Sequence, residues 1–140
     1  MNTIFESTIE EFVIGLLANQ GFEYLSPEKQ ELERPNLSDV LLKERLKRAI
    51  DALNPLLPEE AKTQAVREIA NFSTQNLVEN NERFHKLLTD GIEIEVRGTD
   101  GIKGDKVKLI DFEKIENNEF LVCNQYTVIE NNINKRPDVV

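Results

Sequence analysis

Near the end of the chain, Arg136-Pro137-Asp138-Val139-Val140 sets an acidic residue directly behind a proline, at the mouth of an apolar segment. The proline fixes the entry of the backbone, and Asp138 then presents a carboxylate where a strand begins. Hard divalent cations take such oxygen ligands, as two or three converging carboxylates with water and phosphate completing the shell. The chemistry such a centre performs is metal-assisted hydrolysis. Taken alone, the same five residues also describe an ordinary loop-to-strand junction.

The other reactive residue types read as structural. His85 is the single histidine, set in a helical pattern beside Phe84, Lys86 and Leu87, and nothing around it forms a nucleophile-base arrangement. Cys123 follows Phe120-Leu121-Val122 and reads as a small core side chain. The glycines at 98, 101 and 104 lack the strand-loop-helix setting of a phosphate cradle and read as hairpin punctuation. Lys43-Glu44-Arg45-Leu46-Lys47-Arg48 is basic on balance, and on a helix it reads as a solvated face.

The chain has 140 residues, enough for one domain with a core of its own. Its 26 acidic and 17 basic residues leave a formal net charge of −9, which argues against a surface that grips nucleic acid all over. A local acidic site that meets DNA through a metal ion remains compatible with that charge. One cysteine excludes an internal disulfide and a cysteine zinc cage, and it fits a reducing, cytoplasmic setting. No apolar run approaches the ~18 residues of a membrane-spanning helix.

The elements that must position Asp138 follow from periodicity. Ile4, Phe5, Ile9, Phe12, Val13, Leu16 and Leu17 recur at three- and four-residue steps, predicting a helix over 3–20 that Gly21 ends. Residues 22–25 read as a short extended piece, and 26–37, with two prolines and five charges, as a loop. A helix is expected from Ser38 to Leu53, turning Val40, Leu41, Leu46, Ile50 and Leu53 inward. Pro58-Glu59-Glu60 opens another, running to about Ala70. A last helix over 76–90 should bury Leu77, Phe84, Leu87 and Leu88, so that 38–90 forms a helical insertion or subdomain. Beyond Gly91 the period becomes two: Ile92, Ile94 and Val96 alternate with Glu93, Glu95 and Arg97. Gly98-Thr99-Asp100-Gly101 offers a turn, 107–112 and 120–129 read as strands, and 138–140 as the start of one more. The fold class is therefore mixed α/β, of the α+β kind.

Several stretches resemble the N-terminal region of the restriction (R, motor) subunit of type I restriction-modification enzymes. They are Leu41 to Leu46, Leu53-Asn54-Pro55-Leu56-Leu57-Pro58-Glu59-Glu60-Ala61, Leu77 to Gly91, Val107 to Phe112, Glu116-Asn117-Asn118, Asn124 to Val128 and Arg136-Pro137-Asp138. The resemblance spans nearly the whole chain in the family's order and at about its spacing. It implies a PD-(D/E)xK nuclease domain, a restriction-endonuclease-like mixed sheet flanked by helices around a divalent-metal site. By motif match, Asp138 takes the place of the metal-binding "PD" aspartate, and Glu10 that of the acid on the first helix. Glu6 lies one turn before Glu10 on the same face and rivals it for that role.

The resemblance further implies Mg²⁺ at the nuclease site, ATP bound elsewhere in the parent protein, and double-stranded DNA as substrate. The methylation and specificity subunits are the implied partners. One departure limits it: the chain ends two residues after Asp138, before the Glu-x-Lys half of the motif and before any ATPase motor. These 140 residues by themselves are accordingly expected to neither cleave DNA nor hydrolyse ATP. The competing expectation is a non-catalytic interaction module whose helices over 38–90 dock other domains or subunits.

Overall fold

A computed structural model describes residues 5–72 and 74–140. The expected combination of α and β elements is present, distributed over two compact units, one of residues up to 42 with 119–140 and one of residues 43–118. The predicted helix over 3–20 is α1, Glu6–Asn19; Ile4 and the residues before it lie outside the described residues.

In the first unit, α1 is followed by β1 (Glu23–Leu25) and α2 (Pro27–Glu33). After the second unit the chain returns with β4 (Leu121–Cys123), β5 (Val128–Glu130) and β6 (Ile133–Lys135). β1 and β4 pair in parallel, Leu25 facing Cys123. On the other side of β4 the last residues run antiparallel: Asn124 bridges Val139, and Cys123 and Val140 exchange both backbone hydrogen bonds at 2.8 Å. This small sheet is thus mixed, and α1 packs on β1 and β4. Leu25, Cys123 and Tyr126 form its buried centre, with Leu42 and Val128 packed against them.

Three expectations change here. The segment 26–37 contains α2, because Ser26-Pro27-Glu28 supplies a helix start with proline where its missing donor costs nothing. The strand expected over 120–129 is broken: the backbone leaves β4 at Gln125, whose φ of 53° is left-handed, and resumes as β5. A tight hairpin then forms over Asn131 and Asn132, both at positive φ (50° and 62°), the conformation a two-residue hairpin loop requires. The apolar stripe of α1 also divides. Val13 and Leu17 are half-buried, whereas Phe5, Ile9, Phe12 and Leu16 face outward, Phe12 being 66% exposed.

The second unit holds α3 (Lys43–Leu53), α4 (Glu59–Ala70), α5 (Leu77–Asp90) and an antiparallel hairpin of β2 (Ile92–Gly98) and β3 (Gly101–Val107). Its core joins Ile50, Ala61, Ala65 and Ile69 to Ile92, Ile94, Val107 and Leu109. α4 brings its small residues Ala61 and Ala65 against this core, which lets the helix approach β2 closely. α3 starts at Lys43 instead of Ser38, so Val40 lies outside it and is exposed. α5 buries no residue completely: Phe84, Leu87 and Leu88 are half-buried and Leu77 is exposed in its first turn. The second strand of the hairpin runs from 101 to 107, earlier than the 107–112 expected from hydrophobicity, because its register to β2 (Ile92 opposite Val107, Gly98 opposite Gly101) places it.

Beyond β3 the backbone is held by a side chain. Asn54, buried at the end of α3, donates to the carbonyl of Lys108 and accepts from its N–H, each at 2.8 Å. It also donates to Ile50 O at 2.8 Å, so one amide closes α3 and pairs with the chain leaving the hairpin. Gly91, between α5 and β2, has φ of 79°, and a Cβ there would stand 2.8 Å from Val107 O.

Candidate metal centre

Glu6 and Glu10 occupy successive turns of α1 on one face, as their spacing dictates. Asp138 arrives from the other end of the chain, just before the backbone pairs with Asn124 through Val139. Pro137 has no N–H to place, and its carbonyl accepts from Tyr126 N at 3.3 Å while that of Asp138 accepts from Gln125 N at 3.0 Å. The fold thus unites all three acids named from the sequence: one carboxylate oxygen from each of Glu6, Glu10 and Asp138 lies within 4.8 Å of the others. Glu6 and Asp138 are exposed and Glu10 is half-buried.

The donor set fits a hard divalent cation, which takes carboxylate oxygen. Ligand oxygens on an octahedral Mg²⁺ stand about 3–4 Å apart, as follows from Mg–O bonds of about 2.1 Å. The separation of up to 4.8 Å is slightly wider, and the exposed side chains of Glu6 and Asp138 have rotamer freedom to close it.

Glu10 is the most constrained of the three. Gln125 Nε2 donates to its Oε1 at 2.8 Å, and Asn124 Nδ2 approaches its Oε2 at 3.4 Å. Asn124 is itself oriented: Tyr24 Oη donates to its Oδ1 at 2.8 Å, which turns the amide nitrogen toward Glu10. The Tyr24 phenol is pushed above its ordinary pKa, chiefly by burial and then by the charges of Glu28, Cys123 and Glu10, so it remains a protonated donor. Gln30 Nε2, nearly buried, donates to the carbonyls of Leu25 and Asn124, both at 2.9 Å, and ties α2 to the ends of β1 and β4.

Tyr24, Asn124 and Gln125 were not among the residues assigned a role from the sequence. The signal that could have found them is the adjacent pair of amides closing the apolar run Leu121-Val122-Cys123. Two carboxamides at a strand end are good partners for a carboxylate held nearby.

Comparison with known proteins identifies the family. Residues 4–140 match the family model described as the type I restriction enzyme R protein N terminus. The "Type I restriction enzyme HindI endonuclease subunit" of Haemophilus influenzae is 34% identical over 96% of this chain and 13% of its own length. A protein of Methanocaldococcus jannaschii, provisionally named a type I restriction enzyme MjaIXP endonuclease subunit, is 36% identical over 94% of this chain and 13% of its own length. The chain belongs to the type I restriction enzyme R protein N-terminal family, and it spans about one eighth of the length of these relatives. Among the described residues, no helix is long and apolar enough to cross a membrane.

Proposed function

We propose that this chain is the N-terminal part of a Mg²⁺-dependent nuclease domain that cuts double-stranded DNA as part of a type I restriction enzyme R subunit. The observation that carries the reading is the convergence of Glu6, Glu10 and Asp138 from distant parts of a chain that belongs to this family. In this reading Asp138 is the principal metal ligand, Glu10 the oriented ligand from the first helix, and Glu6 the outer acid one turn before it.

When bound, Mg²⁺ supplies Lewis-acid polarisation of the scissile phosphodiester and offsets the charge that would otherwise set the carboxylates against DNA. Glu10 holds one orientation because two amides restrain it, and Asp138 is fixed through its backbone. The Glu-x-Lys segment, which the family places on the strand after the "PD" aspartate, completes the site. Translocation on ATP belongs to another part of the parent, which works in the cytoplasm with methylation and specificity subunits.

The test is calorimetric titration of Mg²⁺ or Mn²⁺ into the chain extended through the Glu-x-Lys strand, followed by incubation with supercoiled plasmid. Saturable binding and nicking are expected, both lost in Asp138→Ala and Glu10→Ala. A folded extended protein that neither binds the cation nor nicks plasmid overturns the proposal.

A further inference from the structure

We infer that Gln125 is the positioning residue of the acid cluster, holding Glu10 through its side chain and Asp138 through its backbone so that the two carboxylates face one cation. The inference rests on the metal-site reading proposed above and deepens it by assigning the placement of both carboxylates to a single residue.

Gln125 Nε2 donates to Glu10 Oε1 at 2.8 Å, and Gln125 N donates to Asp138 O at 3.0 Å. One residue therefore contacts the α1 half and the C-terminal half of the cluster at once. Its φ of 53° places it in the left-handed region that side chains other than glycine rarely adopt. In that conformation the chain leaves β4 sharply, and the N–H groups of Gln125 and Tyr126 both point to the Pro137-Asp138 segment. Unfavourable backbone conformations persist where the surrounding structure demands them.

The chemistry of the side chain suits the role. The terminal torsion of a glutamate is broad, so an unrestrained carboxylate samples many orientations. A donor on Oε1 at 2.8 Å and a weaker one on Oε2 at 3.4 Å fix that torsion and leave each oxygen a further lone pair for a cation. Among the described residues, Glu10 is the member of the trio whose carboxylate accepts side-chain hydrogen bonds. Hydrogen-bond partners of ligating carboxylates commonly govern metal affinity by about 10–100-fold.

The test is titration of Mn²⁺ into the 140-residue chain, followed by electron paramagnetic resonance of the free ion, with thermal melting of the metal-free protein alongside. Gln125→Gly keeps the N–H and relaxes the left-handed backbone, so it removes the side-chain donor alone. It is expected to weaken Mn²⁺ binding about tenfold or more while the metal-free melting temperature holds or rises. Gln125→Asn also tolerates this backbone and falls one methylene short of Glu10; it reports the same loss should the glycine variant not fold. In a Glu10→Gln background the same glycine substitution is expected to change affinity less than twofold, because Gln125 then has no carboxylate to position. Equal Mn²⁺ affinity in wild type and Gln125→Gly overturns this inference and leaves the metal site standing, as does an undiminished further loss in the Glu10→Gln background. Absence of Mn²⁺ binding by the folded wild type overturns the inference and removes the support it takes from the metal-site reading.

Discussion

The guanidinium carbon of Arg34 lies 4.1 Å from the centre of the Tyr126 ring, inside the unit that carries the acid cluster. Arg34 is 3% exposed and donates from its two terminal nitrogens to three backbone carbonyls, those of Leu37, Asp39 and Thr127. Its planar fork joins the segment after α2 to the segment that follows Gln125, while the aromatic face covers it.

Arg34→Met, similar in length and uncharged, is expected to destabilise the first unit by about 3 kcal/mol, since three charge-assisted hydrogen bonds to half-buried carbonyls are lost. Arg34→Lys recovers only part, because a point charge cannot serve three acceptors in a fork. Leu32→Ala in the same helix, 83% exposed, is the control and should stay within about 0.5 kcal/mol. Urea melts followed by tyrosine fluorescence measure all three.

Tyr126 sets an alkaline limit. Burial raises its phenol above the ordinary 10.0; the Arg34 guanidinium opposes the rise, and the Cys123 thiol and the Asp39 carboxylate add to it. A group whose folded pKa is raised contributes stability that is fully present below its unfolded pKa and is lost as pH climbs through the folded value. The melting temperature of the first unit should therefore fall above about pH 10. Tyr126→Phe should flatten that fall, leaving the part due to Tyr24, whose phenol is raised as well. At neutral pH the same variant loses about 1 kcal/mol with the hydrogen bond from Tyr126 Oη to Val40 O. A slope that is the same in Tyr126→Phe and wild type would refute the assignment.

Gly91→Ala tests the junction of α5 and β2. The left-handed backbone and a Cβ 2.8 Å from a carbonyl oxygen both penalise alanine, by about 1–3 kcal/mol for the conformation alone. Gly15→Ala, within α1 with nothing near its Cβ, should instead hold or raise stability by up to about 1 kcal/mol. Melting curves of the two variants should move in opposite directions.

How much of this was legible in the sequence varies by element. α4 was legible because Pro58, Glu59 and Glu60 mark a helix start by local chemistry. β2 was legible because Ile92 and Ile94 alternate with Glu93 and Glu95 across a half-buried strand. β3 was not, because its single buried residue is Val107 and its pairing to β2 places the rest. α2 was hidden by its charges: Arg34, beside it, looks solvated in the sequence and is buried only because residues almost a hundred positions away supply an acceptor and a ring. At the site, Asp138 and Glu10 could be named from a family likeness. That Gln125 and Asn124 would grip Glu10 depends on β4 lying parallel to β1 beneath α1, a pairing with no local signature.

The parallel pairing of β1 with β4 also has a consequence in time. β1 ends at Leu25 and its partner begins at Leu121, with all of residues 43–118 made between them. At about 5–20 residues per second, the N-terminal helix and strand wait on the order of 5–20 s on the ribosome for a partner, while the intervening unit has every residue it needs to close on itself. Glu10 therefore leaves the exit tunnel before the whole intervening unit and Asp138 after it, so the two acids meet only once that unit has been made.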